Sequence, residues 1–343
     1  MTGGGAAKAV VFLFIAAAAV ASCKSETAQD EAVVIYTSVD QNFAEPILNR
    51  FAEETGIEVK PVFDVEAAKT SGLAKRLAEE ADKPLADVFW SGEPVQTEVL
   101  AQQSVFTQYV PDDLREGPVA GPGGLWTAFG GRARVLIINT DHLAPDDRPT
   151  SLFDLVSDQR DTTRAAIAYP LFGTTATHAS ALFTELGEAR AQAFFDEIVA
   201  KEVRVVDGNS VVRDLVVAGS ADFGLTDTDD ACAAVRRNPG QVVVVFPDQG
   251  ASDMGTLVIP NTVALVAGGP NPETGRRLID YLLSEEAARQ LADAGWFHVD
   301  GTKVFAAEDC GLPETVKPMP VDYAALARTM GDVIRDLRDR IVR

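Results

Sequence analysis

Short apolar runs rich in β-branched residues alternate along this chain with stretches that carry apolar side chains at helical spacing. The runs 32–36, 57–63 and 165–169 behave in this way, and helical patterns at 67–81 and 175–186 follow the last two. Strands that are separated by helices of this length pair in parallel, because the crossover returns the chain to the same end of the sheet. The sequence therefore predicts an α/β fold with mostly parallel sheets flanked by helices.

Two long strand-like runs, 134–139 and 262–267, enclose a second set of strands and helices. We interpret these runs as crossings between two lobes of the fold. Lobe 1 is predicted to comprise residues 32–135 and 262–343, and lobe 2 to comprise residues 136–261.

The N-terminus carries an apolar run, 9–20, that follows Lys8 and ends shortly before Cys23. The run is shorter than the ~20 residues that a membrane-spanning helix needs. The pattern indicates a lipoprotein signal peptide at residues 1–22, lipid attachment at Cys23 and a flexible polar stalk at residues 23–31. An ordinary cleaved signal or a membrane anchor is the alternative.

Composition and charge limit the classes of function. With 46% apolar and 24% charged residues, the chain has a globular composition. A formal charge of -21 argues against nucleic acid as a partner, because phosphate neutralisation needs a basic surface. Apart from Cys23, the cysteines are Cys232 and Cys310. In an export compartment they either form a disulfide or remain two buried thiols.

A cluster of aspartates follows the predicted strand 222–225 and opens a helix. Its members are Asp227, Asp229 and Asp230, and Asp40 holds a similar position after the first strand. Ligands of open α/β sheets bind at the carboxyl ends of strands, and clustered carboxylates suit hard cations. The alternative is helix capping, because Asp at a helix start accepts free backbone N–H groups.

Two further helix starts are candidates for binding an anion, because they combine free backbone N–H groups with polar side chains. One follows the strand 165–169 and the other lies one strand–helix unit later, with an arginine one turn away. Ordinary helix capping is again the alternative. The candidate anion-binding residues are Gly173, Thr174, Thr175, Asn209, Ser210 and Arg213.

Trp90 and Glu93 place an aromatic ring and a carboxylate at the end of the strand 86–90. The three histidines, His142, His178 and His298, match no zinc-binding spacing, and the sequence contains no nucleophile elbow or phosphate loop. We therefore expect a binding protein without a resident cofactor rather than an enzyme.

Several sequence blocks together resemble a known family. They are Phe-Ala-Glu-Glu-Thr-Gly-Ile-Glu-Val at 51–59, Ala-Asp-Val-Phe-Trp at 86–90, Gly-Arg-Ala-Arg-Val at 131–135, Gly-Asn-Ser-Val at 208–211 and Ala-Asp-Phe-Gly-Leu at 221–225. From residue 33 to about residue 297, the chain resembles the ferric-iron-type substrate-binding proteins of ABC importers, which have the class II periplasmic binding protein fold.

This resemblance implies two lobes that close on a ligand in the cleft between them, and a monomer that docks on a membrane permease driven by an ATPase subunit. It also implies a location in the periplasm or at the cell surface, where lipid on Cys23 would hold the chain to the membrane. The metal-binding tyrosine pair of the family corresponds to Asp229 and Asp230, the early histidine falls near Asp40, and a carboxylate ligand lies within one residue of Glu93. The synergistic-anion positions correspond to Thr174, Thr175 and Asn209.

Three kinds of ligand fit these correspondences. The first is iron or another hard cation, carried with carbonate or phosphate. The second is a cationic organic solute such as a polyamine, bound by the same carboxylates and the ring of Trp90. The third is a phosphonate or sugar phosphate, bound by the helix starts and Arg213. A surface-anchored hydrolase is the alternative from another class. The predicted metal ligands are Asp40, Glu93, Asp227, Asp229 and Asp230.

Overall fold

The structure, a computed structural model, describes residues 1–4, 32–64, 71–112, 114, 118–293, 296, 310–313 and 315–341. Residues 1–4 have no regular secondary structure. The apolar run of the predicted signal, the lipid-attachment residue Cys23 and the stalk up to residue 31 lie outside the described residues.

Strands and helices alternate along most of the chain. The strands are β1 Ala32–Thr37, β2 Glu58–Phe63, β3 Val88–Ser91, β4 Phe106–Thr107, β5 Val119–Ala120, β6 Thr127–Asn139, β7 Ala165–Ala168, β8 Arg204–Val206, β9 Phe223–Asp227, β10 Val242–Val245 and β11 Val258–Val266. The helices are α1 Gln41–Thr55, α2 Ser71–Glu79, α3 Pro94–Gln102, α4 Gly173–Leu186, α5 Glu188–Ala200, α6 Asn209–Val217, α7 Thr228–Arg237, α8 Pro272–Leu282, α9 Glu285–Asp293 and α10 Tyr323–Ile341. Among the described helices, none has the length and apolarity that crossing a membrane requires.

The strands are ordered β2-β1-β3-β11-β6-β9-β7-β8 across the sheet, with β4, β5 and β10 paired at its sides. β1 runs parallel to β2 and β3, and β7 runs parallel to β8 and β9, as the alternation of strands and helices predicts. β6 and β11 are antiparallel to their neighbours instead. The reason is that β6 carries the chain from one part of the sheet to the other and β11 carries it back, so β6 and β11 run in opposite directions.

β6 joins two sets of strands. Residues 127–133 pair with β11, whereas residues 134–138 pair with β9. We call β1 to β5, β11 and the first half of β6 the first strand set, and we include in it the helices and loops between β1 and β6. The second strand set is β7 to β10 with the second half of β6, together with the helices and loops between β6 and β11. Within the first half of β6, Gly130 has a φ of 51°, a conformation that favours glycine. The lobe boundaries that the sequence suggests stay a prediction.

The C-terminal helix α10 packs against α3, α4 and α5. Its apolar stripe is buried and consists of Leu326, Met330, Val333 and Leu337. They form one core with residues of the second strand set, including Leu182, Phe194 and Phe195. The helix therefore covers elements of the second strand set, although the sequence-based division places residues 262–343 in lobe 1.

A disulfide joins Cys232 of α7 to Cys310. Beyond it, Val316 packs in a small core with Ala231 and Phe246. The ammonium group of Lys317 then donates hydrogen bonds to backbone carbonyls of the 250–253 loop, at 2.9 Å for the oxygen of Gly250. These contacts fix Cys310, Val316 and Lys317 against the second strand set.

We predict that removal of the disulfide lowers the free energy of unfolding. The bond closes a loop of 78 residues, and loss of a cross-link over such a loop costs roughly 4 kcal/mol in the chain-entropy description. Denaturant unfolding of the Cys232→Ala, Cys310→Ala variant measures this loss. A reducing agent should destabilise the parent chain by a similar amount and leave the variant unchanged. Equal stability of both chains would contradict the prediction.

Candidate functional site

A cavity of about 30 Å³ lies between loops of the two strand sets. This volume admits one or two bodies the size of a water molecule. The first strand set contributes Ser38, Asp40, Gly92 and Glu93 to its wall, β6 contributes Arg132, and the second strand set contributes Tyr169, Phe172, Gly173, Thr174, Thr175, Asp207, Asn209, Asp227 and Asp230, among others. The structure thus brings together most of the residues that the sequence singles out.

Arg134 of β6 organises the wall on the side of the second strand set. Its side chain is fully buried and donates hydrogen bonds to Asp227 Oδ1 at 2.6 Å and to Asn209 Oδ1 at 3.0 Å. Further donors reach the hydroxyl groups of Thr174 at 3.3 Å and Thr175 at 3.2 Å. One guanidinium group therefore links the starts of α4, α6 and α7.

Asp227 is the anchor of this arrangement. Its Oδ2 atom accepts hydrogen bonds from the Thr174 hydroxyl at 2.7 Å and from Asn209 Nδ2 at 3.0 Å, while Oδ1 faces Arg134. Burial alone would raise the pKa of this carboxyl group, but the positive charges of Arg134 and Arg132 hold its pKa below the usual value. Both oxygens are thus occupied by donors from the protein, which favours a positioning role.

Arg132, two residues before Arg134, bridges the two strand sets. Its Nη2 atom donates to the Gly92 carbonyl oxygen at 2.7 Å, and its Nη1 atom lies 3.3 Å from Asp229 Oδ2. Burial would lower the pKa of Arg132, but Asp229 and Asp227 raise it above the usual value. This guanidinium group therefore remains charged inside the protein.

Asp229 and Asp230 are buried at the start of α7, and their pKa values lie above the usual range. Burial, together with the negative charges of Asp227 and Asp40, raises the pKa of Asp229 to about 6 even though Arg132 opposes the shift. Burial and the neighbouring Asp229 raise the pKa of Asp230. Asp230 lines the cavity, whereas Asp229 lies behind it against Arg132. This acidic pair is short of positive charge.

Arg213 contacts an acid rather than open space. Its Nη1 atom donates to Asp230 Oδ1 at 2.7 Å, and its Nε atom donates to Asp214 Oδ1 at 2.8 Å. The sequence suggests Arg213 as a donor to an anion. In the structure it instead offsets part of the charge of Asp230.

Glu93 is the N-cap of α3. Its carboxylate accepts hydrogen bonds from the backbone N–H groups of Val95 at 2.7 Å and Gln96 at 2.9 Å, and from the Thr177 hydroxyl at 3.0 Å. Burial raises its pKa. The alternative of a helix cap, which the sequence leaves open for residues of this kind, describes this carboxylate well.

The starts of α4 and α6 both face the cavity. Their N-cap residues are Phe172 and Gly208, whose side chains contain no polar atoms that could cap the first amides. Gly173, the first residue of α4, has a φ of 53°, which a glycine adopts readily. Two helix N-termini directed at one cavity favour an oxyanion as part of the ligand.

Four predicted residues, Trp90, Ser210, Arg213 and Asp229, lie outside the cavity lining as the structure describes it. Trp90 is fully buried in the core of the first strand set, where its ring lies 5.9 Å from that of Phe129. Its place in the core corrects the prediction that it presents an aromatic face to a cation. Ser210 follows Asn209 on α6 and is half-buried.

Arginines and helix amides occupy much of the predicted metal-binding set. Among the described residues, no group of three or more His, Cys, Asp or Glu side chains is arranged to hold a metal ion. Glu93, Asp227, Asp229 and Asp230 each contact a donor group of the protein, and the members of the set that line the cavity are Asp40, Glu93, Asp227 and Asp230. The predicted set of metal ligands therefore stays a prediction.

The sequence-based list of site residues omits Arg132 and Arg134. They stand two positions apart in the apolar strand β6, so their side chains leave the same face of the strand. Arginines are rarely buried unless they are paired, and this spacing in a buried strand is a usable signal for a charged site. The site thus contains four buried carboxyl groups, those of Glu93, Asp227, Asp229 and Asp230, and three guanidinium groups, of which that of Arg213 is half-buried.

Comparison with known proteins identifies relatives of this chain. Residues 33–297 match the family described as bacterial extracellular solute-binding protein. The chain is 27% identical over 289 residues to iron uptake protein A1 of Synechocystis, with 77% of this chain and 74% of the relative covered. It is 24% identical over 261 residues to a putative 2-aminoethylphosphonate-binding periplasmic protein of Salmonella typhimurium, with 75% of this chain and 74% of the relative covered.

A similar fold occurs in the crystal structure of iron-bound HitA from Pseudomonas aeruginosa. The TM-score is 0.75 at 20% sequence identity, over 90% of this chain and 99% of that one. These matches confirm the fold class and the resemblance inferred from the sequence. They also confirm the prediction of a binding protein rather than an enzyme, because the matched family is one of solute-binding proteins.

The buried His178 of α4 predicts a loss of stability in acid. Burial and the nearby charge of Arg134 lower its pKa to about 3 in the folded chain, whereas an unfolded histidine has a pKa of about 6.5. As the pH falls below about 6.5, His178 becomes protonated in the unfolded chain but stays neutral in the folded chain, so the free energy of unfolding decreases. Between pH 7.5 and pH 5 this loss is about 2 kcal/mol.

The His178→Leu variant tests this assignment. Urea unfolding of both chains at the two pH values should show that the variant loses about 2 kcal/mol less than the parent chain. The titration of other groups is common to both chains and cancels in the comparison. An identical pH dependence of the two chains would show that His178 is not the group responsible.

Proposed function

The chain belongs to the bacterial extracellular solute-binding proteins, and on that premise we propose that it captures iron or another hard cation together with a small oxyanion. The proposed ligand passes to the permease and ATPase subunits of an ABC importer. The proposed receptor acts as a monomer in the periplasm or at the cell surface, held to the membrane by lipid on Cys23. Membership in this family removes the hydrolase alternative.

The surplus of buried carboxyl groups around a small cavity carries this proposal. Four buried carboxyl groups share the site with three guanidinium groups, and burial together with the neighbouring negative charges raises the pKa values of Asp229 and Asp230. A cation in the cavity would relieve this repulsion, since an opposite charge within a few ångströms favours ionised carboxylates. Oxygen ligands of this kind suit hard cations.

The helix starts support an oxyanion beside the cation. The first residues of α4 and α6, with the hydroxyl groups of Thr174 and Thr175, lie at the wall of the cavity that Asp40 also lines. Carbonate and phosphate are small oxyanions that such amides bind. We therefore assign the anion to Gly173, Thr174, Thr175 and Asn209.

Asp40 and Asp230 are the proposed first oxygen ligands, because both line the cavity. Asp229 becomes a third ligand if its carboxylate exchanges Arg132 for the cation. The small volume of about 30 Å³ also favours an ion over an organic solute in this conformation. The name of the Synechocystis relative, iron uptake protein A1, makes iron the first metal to test.

An aminophosphonate is the second candidate, and one observation favours it. The described residues contain no group of three acids arranged for a metal ion, whereas they offer separate acidic and anion-binding sides. An ammonium group would contact Asp40 and Asp230, and a phosphonate group would contact the starts of α4 and α6. This ligand would require a wider opening between the strand sets, and a relative named for such a ligand exists.

A ligand screen by thermal shift separates these candidates. We expect the chain from Ser25 onward to melt at a higher temperature with ferric ion plus carbonate, phosphate or citrate, and a chelator should abolish the shift. Binding to the folded state alone contributes about 2.7 kcal/mol at a hundredfold excess over Kd. A shift with 2-aminoethylphosphonate or a sugar phosphate, but with no metal, would contradict the metal proposal and establish the organic anion. A shift with polyamines alone would contradict both.

The Asp229→Asn, Asp230→Asn variant tests the acidic pair. We expect it to bind the metal at least a hundredfold more weakly, about 2.7 kcal/mol, as measured by titration calorimetry. Its ligand-free stability should stay equal or rise, because two buried carboxyl groups with raised pKa values disappear. The Glu273→Gln, Asp332→Asn variant is the matched control, since it removes the same charge at exposed helix positions. Unchanged metal affinity in the Asp229→Asn, Asp230→Asn variant would contradict the proposal and favour helix capping as the role of the two aspartates.

A further inference from the structure

The turn Ser91–Glu93, between β3 and α3, is held from the opposite side of the cavity. It belongs to the first strand set, whose β3 pairs with β1 and β11. Two contacts reach it, one from α4 of the second strand set and one from Arg132 of β6, and the groups involved are buried. The turn is therefore the place where the two sets are tied together across the ligand cavity.

Thr177 of α4 makes the first contact. Its hydroxyl group donates to Glu93 Oε2 at 3.0 Å and lies 3.3 Å from the Gly173 carbonyl oxygen in its own helix. The Glu93 carboxylate also caps α3, so it would keep two backbone partners if Thr177 lost its hydroxyl. Thr177 is fully buried, but it lies one helical turn behind the residues that line the cavity.

Arg132 makes the second contact, and Gly92 permits it. The guanidinium group joins the Gly92 carbonyl oxygen of the first strand set to Asp229 of the second. A Cβ atom on Gly92 would lie 2.8 Å from Arg132 Nη2, which is closer than such contacts allow. The absence of a side chain at position 92 is thus a condition for this bridge.

From these contacts we infer that the turn Ser91–Glu93 is a latch, with Thr177 and Gly92 as positioning residues that hold the two strand sets closed over the ligand. This inference rests on the proposed function, which identifies the ligand. The latch contacts are then expected to set the rate at which that ligand is released. The hydrogen bond from Thr177 to Glu93 and the ion pair of Arg132 with Asp229 each span both sets, so opening must break both. Release therefore depends on residues that need not touch the ligand.

Two variants weaken the latch independently, and each has a matched control. Thr177→Val keeps the shape of the side chain and removes the donor to Glu93. Its control is Thr184→Val on the same helix, because the Thr184 hydroxyl makes only the equivalent helical contact, 3.2 Å to the Ser180 carbonyl oxygen, among the described contacts. Gly92→Ala displaces Arg132, and Gly331→Ala on α10, where a Cβ atom would meet nothing within 4 Å, is its control.

Small-angle scattering of the ligand-free chain tests the latch without any ligand. We expect Thr177→Val and Gly92→Ala to increase the radius of gyration relative to the parent chain, and both controls to leave it unchanged. Chemical denaturation shows that the variants are folded. An unchanged radius of gyration in both latch variants would overturn the inference.

Stopped-flow release of ferric ion, loaded with citrate and drawn off by a chelator, gives the second readout. We expect release to be about tenfold faster in each latch variant, which corresponds to one hydrogen bond to a charged group. Association should change much less. If the parent chain binds no metal, the proposed function fails while the scattering result still decides the latch. If the parent chain binds metal and both variants release it at the parent rate, the latch fails and the proposed function stands.

Discussion

The buried ion pair between Arg134 and Asp227 is the interaction on which the site depends. The pair joins β6 to the end of β9, which are neighbouring antiparallel strands. Around it, hydroxyl and amide groups from the first residues of α4 and α6 make further hydrogen bonds with both partners. A buried ion pair contributes little net stability compared with apolar packing, and removal of one partner is costly. Its value here lies in fixing three helix starts at one point.

That fixed point explains how carboxylates and anion-binding amides can share one small cavity. Arg134 and Thr174 satisfy Asp227, so this carboxylate does not repel an oxyanion at the helix starts as an unpaired one would. The carboxyl groups with raised pKa values lie farther along α7, at Asp229 and Asp230, and Asp230 lines the cavity together with Asp40. The site is therefore divided into a side that favours an anion and a side that favours a cation.

The fold was predictable from the sequence to a large extent, because it follows from local patterns. Gly56 ends α1 in the left-handed conformation that its position predicts, and the strand runs at 32–36 and 165–169 lie within one residue of β1 and β7. The antiparallel course of β6 and β11 was not predictable in this way, since strand direction depends on contacts between distant segments. α5 was absent from the prediction, although Ala191, Phe194, Phe195 and Ile198 give it a buried face.

The site was predictable as a set of positions but not as a set of roles. Aspartates and helix starts at strand ends indicate where a ligand binds, and most of these residues do line one cavity. The sequence could not reveal that Glu93 caps α3 or that Arg213 reaches Asp230, because one carboxylate serves a cap, an ion pair or a metal equally well. Trp90 shows the same limit. It stands next to the end of β3, where a side chain enters either the core or the ligand cavity, and the sequence does not distinguish the two.

The charge distribution and the contacts across the cavity act in opposite directions, and this opposition accounts for a receptor that both holds and releases its ligand. The carboxyl groups of Asp40, Asp229 and Asp230 repel one another, which favours separation of the strand sets when the cavity is empty. The hydrogen bond of Thr177 to Glu93 and the ion pair of Arg132 with Asp229 favour closure whether or not a ligand is present. In the proposed function, a bound cation would cancel this repulsion and leave those contacts unopposed. Such a ligand would need to supply only the charge, because the chain itself would supply the contacts that close over it.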